Sequence, residues 1–479
     1  MQFNSFTFAL FLIIVFSLYW ILPPGRLRMR QFLLIVASYV FYGWWDWRFL
    51  ILIFISCLVD FFIARGIDEA QSRRRKKMLL GISLFVQLGI LCTFKYFDFF
   101  TTSFAALLNS LGFTVHPVTL NLVLPAGVSF YTFQTLSYTI DVYRGNMKAS
   151  KDPFAFFAFV SFFPQLVAGP IERATHLLPQ FEKPHLFNEN NCIQGLRIFL
   201  WGFFKKVVIA DNCAYFANII FDNYSQMSGL ELSAGAVFFA FHIYGDFSGY
   251  SDMAVGSAKL FGYDLMQNFR TPYFSRDIAE FWRRWHISLS TWFRDYLYIP
   301  LGGSRGGKSK AVRNTFIIFL VSGLWHGANW TFVVWGLLNA IYFLPLLLRN
   351  KNRSHLEDVA ANRLLPNGRE IFQILITFTL TCIAWVFFRS QTIEGAFGYL
   401  KGIVTNPFLP GNYSNFSHRV FVPLAIFIAL DWSIFRWFDA HERIVKWSSA
   451  RKWAFIGLIL LITLLYYQNE ASSFIYFQF

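Results

Sequence analysis

The sequence predicts an all-α, polytopic integral membrane protein, a single domain over residues 1–479 with about 11 to 13 membrane segments that include re-entrant and interfacial helices. Hydrophobic residues make up 56% of the chain, aromatics 20% and charged residues only 14%, too little polar surface to cover a soluble globule. Runs of about 20 apolar residues, the length that spans a bilayer, recur along the whole sequence. The net charge of +15 is carried by basic clusters between those runs, a pattern of loops facing anionic lipid or an anionic substrate rather than of a nucleic-acid reader.

The first run, Phe6 to Leu22, lacks the charged n-region and small-residue cleavage site of a signal peptide and is expected to remain as a span. Arg26, Arg28 and Arg30 mark a basic turn after it. Two spans later Arg73, Arg74, Arg75, Lys76 and Lys77 mark another, so the N-terminus is expected outside. The run 154–170 is flanked by Lys148, Lys151 and Arg173 and interrupted by Phe162-Phe163-Pro164-Gln165 and Val167-Ala168-Gly169-Pro170, which reads as re-entrant. Lys205 and Lys206, amid apolar residues, are expected to snorkel to the interface. Tyr244 to Asp252 places Asp246 and Asp252 beside the hydroxyls of Ser248 and Tyr250 in a glycine-broken stretch; these groups either contact substrate or hydrogen-bond structurally.

Ile278 to Tyr298 reads as one amphipathic interfacial helix, with Ile278, Phe281, Trp282, Trp285, Leu289, Trp292 and Tyr296 on one face and Arg283, Arg284, Ser290 and Arg294 elsewhere. On its wheel His286 lies at the edge of the apolar stripe, roughly 80° from the centre. Gly302 to Lys308 could cradle a phosphate but lacks the Walker spacing and is expected to be a cytoplasmic loop. Basic residues then flank 311–348 on both sides, so the apolar stretch must turn back. The turn falls at Gly323-Leu324-Trp325-His326-Gly327-Ala328-Asn329, and the arm before it climbs only about 18 Å, short of the roughly 30 Å core. His326 is therefore expected within the membrane thickness at the tip of a hairpin, with Trp325 and Asn329 beside it. A span at Ile371 to Phe388, the weakly basic 391–418, a further span, the basic residues Arg436, Arg443, Lys446, Arg451 and Lys452, and a last span at Trp453 to Tyr467 put the C-terminus outside.

The five cysteines, Cys57, Cys92, Cys192, Cys213 and Cys382, have neither disulfide nor metal-ligand spacing and read as packed thiols. His116, His176, His185, His355, His418 and His441 fall in polar loops, and His242 reads as a satisfied core histidine. An ionisable group at the depth of His326 is costly and points to function. Transfer of an acyl group to a sugar hydroxyl needs a base poised near neutrality, and a buried imidazole kept neutral supplies one.

These residues also carry a resemblance. Phe281-Trp282-Arg283-Arg284-Trp285-His286-Ile287-Ser288-Leu289-Ser290, Trp292-Phe293-Arg294-Asp295-Tyr296, Gly323-Leu324-Trp325-His326-Gly327 and the closing Phe474-Ile475-Tyr476-Phe477-Gln478-Phe479 resemble the bacterial branch of the membrane-bound O-acyltransferases. The likeness is closest to AlgI-like alginate and peptidoglycan O-acetyltransferases and more distant to teichoic-acid alanylation proteins. It implies a ring of helices around a thinned centre with a funnel, and transfer of an acetyl group from a cytoplasmic thioester, acetyl-coenzyme A, toward an extracytoplasmic polysaccharide in the bacterial inner membrane, with a periplasmic transferase or esterase partner. No bound cofactor or metal is implied. The catalytic pair would be His326 and His286, with Trp325, Asp246, Ser248, Tyr250, Arg283, Arg284 and Asn329 as substrate contacts. An acyl-group transporter feeding a separate transferase, or a scaffold whose histidines only bridge helices, are the rival readings.

Overall fold

The computed structural model describes residues 1–361, 363–408, 417–437, 449–467 and 474–475, which are helical with no strand among them. Among the described residues, four helical stretches are long and apolar enough to cross a membrane: Trp47–Glu69, Arg73–Ser110, Trp330–Leu348 and Gly368–Arg389. Three shorter apolar helices, Phe6–Ile21, Val420–Ser433 and Ile456–Tyr466, coincide with the first and the last two spans expected from the sequence. His441, Arg443, Lys446 and the last four residues of the closing motif lie outside the described residues. Chain contacts divide the protein into one unit of Met1–Phe199 with Met253–Met266 and a second of Leu200–Asp252 with Gln267–Phe479.

In the first unit the basic turn is partly structural. Arg30 is buried, donates to the carbonyls of Leu22 and His185, and lies 4.7 Å above the Tyr19 ring. Arg73 to Lys77 form the opening turns of the helix Arg73–Leu91 instead of a loop, as good helix formers can. Between that helix and Leu50–Glu69 the buried Asp60 accepts from Ser83 Oγ at 2.6 Å and Gln87 Nε2 at 3.0 Å, polar contacts that join two apolar helices.

The expected re-entrant segment is a nine-residue helix, Pro153–Ser161, about 14 Å long and too short to span. Its start is capped by Asp152 and its last carbonyls do not go bare: Phe159 O accepts from both Gln134 Nε2 and Gln165 Nε2, and Phe163 N donates to Ser38 Oγ. A broken helix among apolar side chains persists only where such partners are supplied.

In the second unit Lys205 and Lys206 do not snorkel. They open a π-helical turn, Lys205–Ala210, are each 3% exposed, and turn inward. Lys205 pairs with Asp252 and donates to Ser248 Oγ at 3.0 Å, while Lys206 pairs with Asp211 at 2.8 Å and Asp246 at 2.9 Å. The π turn sets two consecutive lysines toward separate acceptors, and the three carboxylates within reach outweigh the path to water that the apolar neighbours alone suggest. Asp246 also accepts the backbone N–H of Ile475 at 2.7 Å.

The hairpin is present as Lys308–His326 and Trp330–Leu348, with Asn329 capping the second helix by accepting from Thr331 N. The apolar part of the first arm, 314–326, is about 20 Å long. Its helices touch backbone to backbone: a Cβ at Gly323 would lie 2.3 Å from Phe332 O, and one at Gly336 2.3 Å from Phe319 O. Glycine on both faces is what lets the arms approach so closely. Downstream, within the weakly basic segment 391–418, residues 393–405 form the helix Ile393–Thr405 capped by Thr392.

Two outcomes follow for stability. Gly323→Val forces the arms apart and should cost about 1–3 kcal/mol, read as a lowered melting temperature of the detergent-solubilised protein. Lys206→Met strands Asp211 and Asp246 and should cost about 3–5 kcal/mol in the same assay, whereas Lys206→Arg should cost less.

Candidate functional site

The segment that bears His286 is not one helix. Ile278–Arg284 ends, Trp285 is extended, His286 adopts φ +44° and ψ 55°, and Ile287–Phe293 begins after it. The wheel position expected for His286 is therefore corrected: a left-handed residue at the break turns the imidazole inward, leaving the residue 1% exposed instead of at the edge of a stripe. Left-handed backbone is uncommon outside glycine and persists where the surroundings over-determine it. Here the preceding segment does so, with Arg270 N donating to Arg284 O and Ile287 N donating to Asn268 O, both at 2.9 Å.

His326 ends the first arm of the hairpin and is 2% exposed. The two imidazoles, 40 residues apart in sequence, come together with ring centroids 6.4 Å apart. Trp325 lies against both, 5.7 Å from His286 and 5.0 Å from His326. Around His326 stand Trp335 at 4.9 Å and Phe388 at 5.3 Å, and around His286 stand Phe247 at 4.6 Å and Phe269 at 6.3 Å. Trp385 stacks on Trp335 at 5.7 Å and meets Trp285 at 5.1 Å, closing the aromatic cage. Interlocked rings of this kind hold both imidazoles in place with little rotamer freedom.

The other sequence candidates have definite places. Asp246 and Ser248 belong to the buried lysine pairs, and Tyr250 is buried with its ring 4.4 Å from Phe474. Asn329 caps its helix and donates to Gln391 O at 3.0 Å. Arg283 donates to the carbonyls of Asn352 and His355, and Arg284 to Glu280 at 2.8 Å and Asp358 at 3.2 Å. With Arg270, which pairs with Asp358, and Arg276, which pairs with Glu280, these arginines tie residues 352–358 to the segment that leads into His286. His242 is buried, as expected of a core residue, but its two ring nitrogens lack a hydrogen-bond partner among the described residues; it packs edge-on to Phe239 at 5.8 Å. Among the described residues no group of three or more His, Cys, Asp or Glu side chains could hold a metal ion.

Sequence reading missed Asn268, Trp335, Trp385 and Phe388. Phe332, Trp335, Gly336 and Asn339 are all buried, and their 3-to-4-residue spacing marks an inner face; Asn268 carries no comparable signal.

Residues 148–388, which contain both histidines, match the membrane-bound O-acyltransferase family. The chain is 39% identical over 397 residues to a peptidoglycan O-acetyltransferase of Helicobacter pylori, covering 78% of this chain and 73% of the relative. It is 40% identical over 397 residues to a probable alginate O-acetylase of Pseudomonas syringae pv. tomato, covering 82% and 73%. A teichoic acid D-alanyltransferase of Bacillus subtilis is 28% identical over 282 residues, 57% of this chain and 70% of the relative. A helical, apolar chain with a buried histidine pair inside the matched region, and relatives of this closeness, lead to one conclusion: the protein belongs to the membrane-bound O-acyltransferase family and is an enzyme of the O-acetyltransferase type.

Proposed function

We propose that this enzyme takes an acetyl group from a cytoplasmic acyl thioester, acetyl-coenzyme A, and passes it across the bacterial inner membrane for O-acetylation of an extracytoplasmic polysaccharide such as alginate or peptidoglycan. The observation that carries the chemistry is the pair of buried imidazoles 6.4 Å apart in an aromatic cage. The relatives named for peptidoglycan and alginate support the class of acceptor. The basic clusters between spans support a donor that bears phosphates and approaches from the cytoplasm, with both termini outside.

In this reading His326 accepts the proton of the acceptor hydroxyl as its oxygen bonds to the thioester carbonyl carbon; the carbon–sulfur bond breaks and the proton passes from the imidazolium to the leaving thiolate. His286 orients a reactant or stabilises charge on the carbonyl oxygen. Trp325 bridges the two rings and becomes a wall of the acyl site. Arg283 and Arg284 act through the segment that they strap, and Asp246, Ser248 and Tyr250 through the packing that supports Phe247. Asn329 fixes the hairpin tip. The acceptor then carries the acetyl group as an ester; a periplasmic transferase or esterase moves it to a polymer hydroxyl, which releases the acceptor hydroxyl.

His326→Ala should lower polymer acetylation by at least about 10²-fold while the protein still accumulates in the membrane at wild-type amount. Undiminished O-acetyl content in that strain overturns the assignment. The purified wild-type chain alone should release thiol from acetyl-coenzyme A, and a conduit that only feeds a separate transferase would not.

A further inference from the structure

Asn268 holds the strained histidine from one side with only part of its side chain. Its backbone oxygen accepts from Ile287 N at 2.9 Å. Its side-chain oxygen accepts from Ser288 N at 3.3 Å and from Ser288 Oγ at 2.9 Å. Because a backbone N–H can only donate, the Ser288 contact fixes which end of the amide is oxygen, and the NH₂ group points away from it. Asn268 is 2% exposed, and its Nδ2 has no hydrogen-bond partner among the described residues. The indole N–H of Trp285, fully buried and directly before His286, also lacks one among the described residues.

A buried donor without a partner forfeits the hydration it had in water, and such groups are rare unless a ligand completes them. Both of these groups are neutral donors that cannot accept, so a ligand that completes them must present lone pairs in a dry, aromatic setting. A phosphate or carboxylate at such a place calls for cations, yet Arg283 and Arg284 are committed to residues 352–358 and Glu280. A carbonyl oxygen, neutral in the ground state and negative when tetrahedral, matches neutral donors.

We propose that Asn268 Nδ2 donates a hydrogen bond to the carbonyl oxygen of the acyl thioester, making Asn268 a catalytic residue beside His286. The inference rests on the acyl-transfer reading above. As the acceptor oxygen bonds to the carbonyl carbon, the carbonyl electron pair moves to oxygen and is stabilised by the amide N–H. The pair returns as the carbon–sulfur bond breaks and the thiolate leaves with the proton from His326.

Asn268→Asp is the informative variant, since it keeps an oxygen toward Ser288 and replaces only the donor. With the full chain reconstituted in nanodiscs, kcat for acetyl-coenzyme A should fall about 10²- to 10³-fold with KM within about threefold. A kcat within about threefold of wild type overturns the proposal. A second measurement needs no folded Asp variant: on His326→Ala protein, which should bind the donor without consuming it, the ¹³C-labelled thioester carbonyl stretch of bound acetyl-coenzyme A should lie below that of the equally labelled S-ethyl thioacetate in hexane. A band at the hexane frequency overturns the role of Asn268 and leaves the acyl-transfer reading intact. Failure of the donor to bind at all overturns both.

Discussion

Hydrocarbon offers no hydrogen bonds, and the rest of this structure is organised around that deprivation. At three places where a helix stops among apolar side chains, polar groups supply the missing partners. Gln134 and Gln165 converge on the Phe159 carbonyl where the short helix ends. Asn268 takes up the amides that the break at His286 releases, and Asn329 those at the hairpin tip. Interruptions that would be ruinous in a lone helix become fixed points, and the two histidines sit on two of them.

The second organising element is the rigidity that surrounds those points. The arms of the hairpin pack backbone to backbone through Gly323 and Gly336, so the position of His326 depends on main-chain contact and not on flexible side chains. His286 is packed against Phe247, and the helix that precedes it is tied to residues 352–358 by Arg283 and Arg284. Buried lysine pairs beneath Asp246 and Ser248 anchor the helix that carries Phe247. Preorganisation of this kind lets a site stabilise developing charge without rearranging during the reaction.

Much of this was legible in the sequence because membrane proteins are under few but severe rules. The hairpin followed from counting apolar residues between two basic flanks, and the short helix at 153–161 from glycines and prolines in an apolar run. What stayed hidden depends on side chains meeting across the fold. Periodicity carried the segment 278–298 straight through His286, since nothing in the local pattern announces a left-handed residue whose cause is a partner 18 positions earlier. Lys205 and Lys206 looked like snorkelling cations because Asp246 and Asp252, which help to hold them, lie on another helix. Asn268 had no motif of its own, and the ring contacts of Trp335, Trp385 and Phe388 exist only after the hairpin has closed.

The backbone at position 286 also acts as a filter on natural variation. With φ at +44°, a β-branched side chain is disfavoured on steric grounds before any chemistry is considered, while asparagine, aspartate and glycine enter this region at lower cost. Drift at this codon is therefore channelled toward a handful of residues, two of which still present a polar group to the same cage. The fold thus restricts which alternative chemistries descendants of this enzyme could sample there, independently of selection on activity.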